Sequence, residues 1–473
     1  MKLNDANLKR TQDGKIAETV ENYEPMKKLL DNTGCGFCIA KWNQVTTHLG
    51  SGITHSCHHV GAHKIPIKEL ETNPSALHNT EEKKERRKEM LAGKRPKECD
   101  YCWRIEDNTD EYSDRVQKSL QNWSTIDHDK IIASTGDENV NPRYMEISFS
   151  NVCNFKCAYC GPPFSSKWAE EVRTEGPYKL HMTHYNGIKE HEVPIPTREH
   201  NPYVEAFWKW FPEAAKDLKV FRITGGEPLL SKDTWRVIDH LLENPQPDLE
   251  FSINTNSCPP DNLWEKFVDK LQQLEETNAV RSVTVYTSAE GVGKQLAYSR
   301  DGLDWDLLTK NVRSLLDRTE KTKISFMSAV NLYSVPTFKS YTYYILDLMK
   351  RYNNDSKRVK IDFAYVRHPQ FLDIKIVPVE LMKQYVKPAI DLMNEYSYDN
   401  LFMPWEIQRI DRIYKDCITR YEKNEERQMK DISLNRFRFW QFTQEYDRRR
   451  DSDFLKTFPQ LTEFYKECKT RNV

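Results

Sequence analysis

Six short runs rich in β-branched and aromatic residues, each separated from the next by an interval long enough for a helix, constrain this chain more than any other feature. They are YMEISFS (Tyr144 to Ser150), LKVFRIT (Leu218 to Thr224), LEFSINTN (Leu249 to Asn256), RSVTVYTS (Arg281 to Ser288), KISFMSAVN (Lys323 to Asn331) and VKIDFAYV (Val359 to Val366). Parallel strands need a crossover of a dozen or more residues between them, and these intervals supply it. The pattern predicts an α/β fold, a partial (β/α)6 TIM-like barrel. Chemistry in such barrels gathers at the C-terminal ends of the strands. Every unusual motif of this half lies at such an end: CNFKCAYC after the first strand, GGEP after the second, TN at the third, SAEG at the fourth, Asn331 at the fifth and RHP after the sixth.

The remaining chain divides by pattern. Its 473 residues exceed what one core organises, and four segments are expected: a helical stretch over 1–34, a small cysteine-bearing module over 35–140, the barrel over 141–375 and a helical C-terminal extension over 376–473. Within the module, NTEEKKERRKEML (Asn79 to Leu91) reads as an exposed helix capped by Asn79 or Thr80, with its charges on a solvated face. Arg448 to Arg450, between Asp447 and Asp451, read as a solvated helix end, and Phe437, Trp440 and Phe454 as packing residues.

Charge and composition then exclude some functions. The 70 basic and 71 acidic residues cancel, so no overall field draws the protein to nucleic acid or to an anionic membrane. Aromatic and basic residues near the C-terminus keep a nucleic-acid partner open but disfavoured. MKLNDANLKR carries no apolar segment, and no run is long enough to span a bilayer, so a cytoplasmic location is expected. In a reducing compartment the eleven cysteines read as metal ligands, catalytic groups or core residues rather than disulfides.

The loop CNFKCAYC sets Cys153, Cys157 and Cys160 at spacings of four and three. Three thiolates on so short a loop suit one iron–sulfur cluster whose fourth iron has no protein ligand, and an open metal position is a reactive one. A zinc site completed from elsewhere, or three unrelated buried thiols, is the plainer alternative. Gly225 and Gly226 would let backbone approach a ligand closely. The loop matches the CxxxCxΦC signature of the radical S-adenosylmethionine (SAM) superfamily, with Tyr159 at the aromatic position. GGEP (Gly225, Gly226, Glu227, Pro228) and SAEG (Ser288 to Gly291) resemble that superfamily's second- and fourth-strand motifs. The resemblance implies a [4Fe-4S] cluster on Cys153, Cys157 and Cys160, with SAM chelating the open iron. It further implies Ser288 and Arg300 at the methionyl carboxylate, Glu290 at the ribose hydroxyls, and Asn331 and the backbone near Val366 bordering ribose and adenine. The reaction expected is reductive cleavage of SAM to a 5′-deoxyadenosyl radical that abstracts hydrogen from a substrate.

Residues 37–106 resemble the SPASM/twitch module of the same superfamily, placed here before the barrel rather than after it. That resemblance implies an auxiliary iron–sulfur cluster on Cys38, Cys57, Cys99 and Cys102. Zinc is the rival, through Cys35-x2-Cys38 and Cys99-x2-Cys102 with His48, His55, His58, His59 and His63 nearby. Cys258, Cys417 and Cys468 are isolated and read as packing residues. The polar stretch from Lys167 to Tyr203 looks inserted after the first strand, and either covers the site or is a plain surface loop. The substrate is not encoded; a peptide or protein is favoured on family grounds, with a one-electron donor such as flavodoxin or ferredoxin as partner. The reading from another class is a non-catalytic iron–sulfur or zinc protein serving structure or electron transfer.

Overall fold

The computed structural model describes residues 1–189, 192–353 and 356–470. Its strands are β1 (Gln44–His48), β2 (Ile53–His55), β3 (His63–Lys64), β4 (Tyr144–Ser148), β5 (Lys156–Cys157), β6 (Tyr178–Leu180), β7 (Thr183–Tyr185), β8 (Val220–Thr224), β9 (Gln246–Thr255), β10 (Val280–Ser288), β11 (Arg300–Asp301), β12 (Lys323–Val330) and β13 (Val359–Tyr365). The six runs read from the sequence are β4, β8, β9, β10, β12 and β13, each within a few residues of its expected ends. Helices occupy the intervals, so the strand–helix order is that of a partial (β/α)6 barrel. The described chain forms two compact units: Met1–Ser150 with Pro194–Thr224 and Gln246–Phe251, and Asn151–Val193 with Gly225–Pro245 and Ser252–Val473.

In the first unit β4 lies parallel to both β8 and β1, with Met145 beside Phe221 and Val45. β2 and β3 extend β1 as antiparallel neighbours. Along β4 and β8 the buried residues alternate, Met145 and Ile147 on one strand and Phe221 and Ile223 on the other, with Tyr144, Glu146 and Arg222 only half-buried between them. That is the period-2 signature of strands with one apolar face. β1 is a seventh parallel strand, formed by the β-branched run Val45–Thr47 ahead of the turn at Gly50–Gly52. A separate apolar cluster gathers Met26, Leu29 and Leu30 with Phe37, Trp42, Met90, Val116 and Ile131, and Cys38 and Cys99 pack against it.

The helix Glu81–Leu91 is capped as expected, the Thr80 hydroxyl accepting from the Lys83 N–H. Its basic face is not solvated. Lys83 is 2% exposed and Arg87 0%; Lys83 Nζ donates to Thr54 Oγ1 at 3.0 Å, and Arg87 donates to Asn79 Oδ1 at 2.8 Å and to the Lys41 carbonyl at 3.2 Å. Charge periodicity alone does not record which carbonyls and hydroxyls the rest of the fold brings to a helix face. Here they make burial of the cations tolerable.

The second unit continues the parallel pattern. β12 lies between β10 and β13, with Ile324 beside Val285 and Phe326 beside Ile361. The intervening helices are amphipathic: Asp261–Glu276 buries Trp264, Phe267, Val268, Leu271 and Leu274, spaced by three and four. Beyond β13 the chain is helical, through Lys387–Glu395, Pro404–Lys423 and Glu426–Arg450. The last of these corrects a second expectation. Arg449 and Arg450 are not a solvated end; their side chains are 3% and 2% exposed, because acidic and aromatic residues of the second unit close over them. Phe454 is buried as expected, and so are Cys258, Cys417 and Cys468. Among the described residues no helix is long and apolar enough to cross a membrane.

Candidate functional site

The three-cysteine loop is built by hydrogen bonds that close on its backbone. Ser165 Oγ donates to the Phe155 carbonyl at 2.7 Å, and Ser166 Oγ accepts from the Cys153 N–H at 3.2 Å. Trp168 Nε1 donates to the Cys157 carbonyl at 2.9 Å. The Tyr185 hydroxyl sits 2.9 Å from the carbonyls of both Ala158 and Cys160, and Asn186 Nδ2 donates to Cys160 O at 2.8 Å. Trp168, Tyr185 and Asn186 lie in the inserted segment, and Ser165 and Ser166 immediately precede it. In its described part, then, the insertion braces the cysteine loop; Glu190 and His191, which the covering reading also included, lie outside the described residues.

Burial raises all three thiol pKa values, Cys160 to about 12; neighbouring cysteines add to the effect at Cys153 and Cys160, while Arg300 opposes it at Cys157. Donors already face the sulfurs. The Phe155 N–H lies 3.4 Å from Cys153 Sγ, and Arg300 Nη1 lies 3.8 Å from Cys157 Sγ. The second contact follows from pairing: β5 and β11 are antiparallel, with Cys157 opposite Arg300. Three thiols with N–H donors and a cation beside them fit an anionic iron–sulfur cluster, whose binding would displace the thiol protons.

Arg300 is itself held. Its Nη2 donates to Glu290 Oε2 at 2.6 Å and its Nε to both carboxylate oxygens at 3.0 and 3.1 Å, and the pair is buried. The Tyr159 hydroxyl donates to Glu290 Oε1 at 3.0 Å, as does Ser299 Oγ at 3.2 Å. Tyr159, Glu290 and Arg300 are thus brought together next to Cys157. Burial works to lower the Arg300 pKa, and Glu290, Tyr159 and Cys157 outweigh it, so it stands raised. The same burial holds the Tyr159 phenol far above its ordinary value.

The GGEP turn is packed against the loop by its own backbone. A Cβ on Gly226 would meet the Val152 carbonyl oxygen at 2.3 Å, and Gly225 has φ +130°, so both glycines are required by the chain's own path. The Glu227 N–H donates to that Val152 carbonyl at 2.7 Å. Its buried carboxylate accepts from the Leu229 N–H, Thr255 Oγ1 and the Asn256 N–H, tying the turn to the end of β9. Pro228 opens the short turn Pro228–Leu230. Ser288 ends β10, half-buried, beside Met327 of β12. Asn331 uses both ends of its amide internally, accepting from the Tyr333 N–H and donating to the Ala329 carbonyl. The Val366 N–H donates to Val330 O at the end of β12.

One residue that the sequence does not mark, Asn154, joins Asn256 of the TN motif to complete this rim. Asn256 Nδ2 donates to Asn154 Oδ1 at 2.7 Å, and Asn154 Nδ2 donates to the Cys258 carbonyl at 2.8 Å. This couples the cysteine loop to the end of β9. TN after the third strand was noticed, but its partner inside CNFKC carries no pattern of its own.

The first unit holds the other cysteines. Cys38, Cys57, Cys99 and Cys102 lie within one another's electrostatic reach: burial, helped by the other thiols, raises Cys38 to about 12, and burial with Glu98, Cys57 and Cys102 raises Cys99 to about 11 against Lys41. Burial also raises Cys102, against hydrogen bonds from the Arg115 N–H and the Ser113 hydroxyl. Cys35 is exposed, 3.8 Å from the Gly93 carbonyl, and does not enter this set of mutual interactions. Lys41 is buried and paired with Glu98; burial would lower its pKa, and Cys99 and Glu98 hold it up. Lys41 lies within electrostatic reach of Cys99 and Cys57, and the buried Lys83 within reach of Lys41 and Arg87. A metal group on four thiolates carries about −2, for zinc and for a four-iron cluster alike, and so fits the donor set and its surroundings. Among the described residues no three His, Cys, Asp or Glu side chains stand as a finished metal cage; the fit rests on the chemistry of the donors. The histidines are occupied otherwise: His59 bonds to Asp114 at 2.6 Å and stacks on Tyr101, His63 bonds to Thr80, and His55 to the Cys57 carbonyl.

Comparison with known proteins places this geometry. A family model described as Radical SAM superfamily matches residues 147–318. A radical SAM cyclopropyl synthase, TigE, from Paramaledivibacter caminithermalis is 24% identical over 281 residues, which cover 58% of this chain and 53% of that protein. The GTP 3′,8-cyclases of Campylobacter lari and Nautilia profundicola are each 28% identical over 114 and 113 residues, about a quarter of either chain. The chain therefore spans about half, or about a quarter, of the curated relatives it matches. A crystal structure of Streptococcus suis SuiB bound to precursor peptide SuiA aligns over 68% of this chain and 72% of that one, at 13% identity and a TM-score of 0.28.

Proposed function

We propose, from the match of a radical SAM family model to residues 147–318, that this chain is a radical SAM enzyme whose cluster is held by Cys153, Cys157 and Cys160. When bound, the cluster and SAM together supply reductive cleavage of the sulfonium to a 5′-deoxyadenosyl radical able to take a hydrogen atom from an unactivated carbon. The observation that carries the residue assignment is three half-buried thiols within one another's electrostatic reach, with Arg300, Glu290 and Tyr159 gathered at Cys157.

The chain's own residues divide the remaining work. Arg300 places positive charge on the sulfur side of the loop, and Glu290 with Ser299 and Tyr159 fixes the plane of its guanidinium. Ser288, at the end of the same strand that leads to Glu290, is the uncharged donor we assign to the methionyl carboxylate. The Gly225–Gly226 backbone is assigned to the methionyl amino group. Glu227 and Asn331 shape the rim through bonds inside the chain, and Val366 closes it as an apolar wall. Cys38, Cys57, Cys99 and Cys102 are proposed to hold an auxiliary iron–sulfur cluster, which the surplus buried cations support.

The substrate we carry forward is a peptide or protein side chain. The alignment to a cyclopropyl synthase runs over 281 residues against 114 for a GTP cyclase, which supports a modifying reaction over nucleotide cyclisation. The first test is anaerobic. The full chain is reconstituted with iron and sulfide, then reduced with dithionite in the presence of SAM, and 5′-deoxyadenosine is sought by mass spectrometry. About eight irons per chain are expected, with 5′-deoxyadenosine lost in a Cys153→Ala/Cys157→Ala/Cys160→Ala variant. Zinc in place of iron with no cleavage of SAM would overturn the reading and leave a metal-stabilised binding protein.

A further inference from the structure

The end of the helix Glu426–Arg450 makes a second set of contacts with the strands that carry Cys157 and Arg300. The Arg450 side chain is 2% exposed. Its guanidinium lies 3.7 Å from the Tyr446 ring centroid and 4.7 Å from that of Trp168. It donates to the Tyr178 hydroxyl at 3.0 Å, to Asp301 Oδ2 at 3.2 Å and to the Lys156 carbonyl at 3.5 Å, and pairs with Glu171 at 3.3 Å. Lys156 Nζ completes the ring of charge, 3.0 Å from Glu171 and 3.3 Å from Asp301.

Two of these partners are the residues next to the site. Lys156 precedes Cys157 and Asp301 follows Arg300, and they face each other across the two-residue pairing of β5 and β11. A ribbon of that length has almost no ladder of its own to hold register. The third partner, Trp168, donates to the Cys157 carbonyl. One guanidinium therefore touches both strands of the ribbon and the ring that braces it.

We propose that Arg450 is a positioning residue for the cluster: from the far end of the chain it holds the β5–β11 ribbon, and with it Cys157 Sγ and the Arg300 guanidinium, in register. The proposal rests on the radical SAM reading for its consequence at the cluster, but not for its structural part. Charge balance explains why a guanidinium is used. Two carboxylates, Glu171 and Asp301, converge on the Arg450 guanidinium; Lys156 is shared between them and Arg449 reaches only Glu171, so removing Arg450 leaves Asp301 with Lys156 alone beside the ribbon. The planar group also packs against two rings while donating in its plane, but the charge pairs, which a lysine keeps, are what hold the ribbon.

The test uses the full chain with Arg450→Met, Arg450→Lys and, as a control on the same turn, Arg448→Met, whose side chain is 56% exposed. In the metal-free protein, amide exchange read by mass spectrometry over residues 153–160 and 298–302 should be about tenfold faster or more in Arg450→Met, close to wild type in Arg450→Lys and unchanged in Arg448→Met. In the iron-loaded protein, Arg450→Met should lose cluster absorbance to a chelator faster by a similar factor and broaden the electron paramagnetic resonance signal of the reduced cluster, with the lysine variant restoring both. Unchanged exchange in Arg450→Met would overturn the proposal. So would faster exchange spread evenly to the helix Asp261–Glu276, which would mark a general loss of stability. Should the wild-type loop take up no iron, the enzyme reading fails while the exchange measurement still decides the role of Arg450.

Discussion

A carboxylate buried with three donors around it is a tie between loops, and Glu227 has that environment. Burial raises its pKa to about 7, opposed by the bonds from the Asn256 N–H, Thr255 and the Leu229 N–H. Below the ordinary value near 4.5 both folded and unfolded chains carry the proton. As pH rises toward 7 the unfolded chain releases it and the folded chain keeps it, so stability falls over that window by roughly 3 kcal/mol for this group alone. Glu227→Gln removes the titration. In the metal-free protein the urea midpoint of wild type, measured against that variant, should therefore rise as pH is lowered from 7.5 to 5. A difference independent of pH would show that the Glu227 carboxylate is far better compensated than its surroundings indicate. At this scale the sequence identified the residue types near the site but not their pairing: Glu290 and Arg300 were read as separate ligand contacts, and the structure joins them in one buried ion pair. Ten residues apart along the chain, they carry no spacing signal for a pair that needs a strand end, a helix and a reversal to form.

Among elements, the six strands were legible because each is rich in β-branched and aromatic residues between helix-sized gaps, and tertiary packing agreed with that local pattern. β1 was not singled out, since QVTTH is short and sits among cysteines that invited a different explanation. The buried basic helix Glu81–Leu91 and the buried end of Glu426–Arg450 were misread for a common reason. Charge runs are solvated by default, and only contacts distant in sequence reveal the carbonyls, rings and carboxylates that make their burial affordable. The inserted segment teaches the converse. Its polarity suggested a surface loop, yet Tyr178, Tyr185 and Trp168 are packed inside it, with ring centroids 5.6 to 6.3 Å apart. The hairpin β6–β7 presents the Tyr185 hydroxyl to the Ala158 and Cys160 carbonyls of the cysteine loop. Tyr185→Phe keeps the ring and removes that donor, and should cost about 1–2 kcal/mol. The measurable result is faster proteolytic nicking between residues 157 and 164 in the metal-free chain, with little change in the far-ultraviolet spectrum. Nicking at the wild-type rate would mean that Asn186 and Trp168 suffice to hold the loop.

For the whole molecule, the two compact units set different electrostatic problems. The second unit balances its buried charges internally, as the Arg450 network shows. The first unit pairs Arg115 with Glu106 and Lys41 with Glu98 but holds two other buried cations on uncharged partners: Lys83 donates to Thr54, and Arg87 to Asn79 and the carbonyls of Lys41 and Glu138. Burial accordingly drives the Lys83 pKa far below its ordinary value and the Arg87 pKa down to about 9. Cations in that position are costly unless something anionic arrives, and four metal-bound thiolates on Cys38, Cys57, Cys99 and Cys102 would be that anion. The consequence is a coupling between metal and cation. Lys83→Met should stabilise the metal-free protein, by about 1–3 kcal/mol, because an uncompensated buried charge is replaced by an apolar chain of similar length. In the metal-loaded protein the same change should stabilise less or destabilise, since the attraction between the ammonium and the metal–thiolate group is lost with it. Thermal unfolding of wild type and variant, each with metal and after chelation, gives the four values of the cycle. A variant that shifts the transition equally in both states would mean that the buried cations answer to the fold alone, and the auxiliary site would lose its electrostatic support.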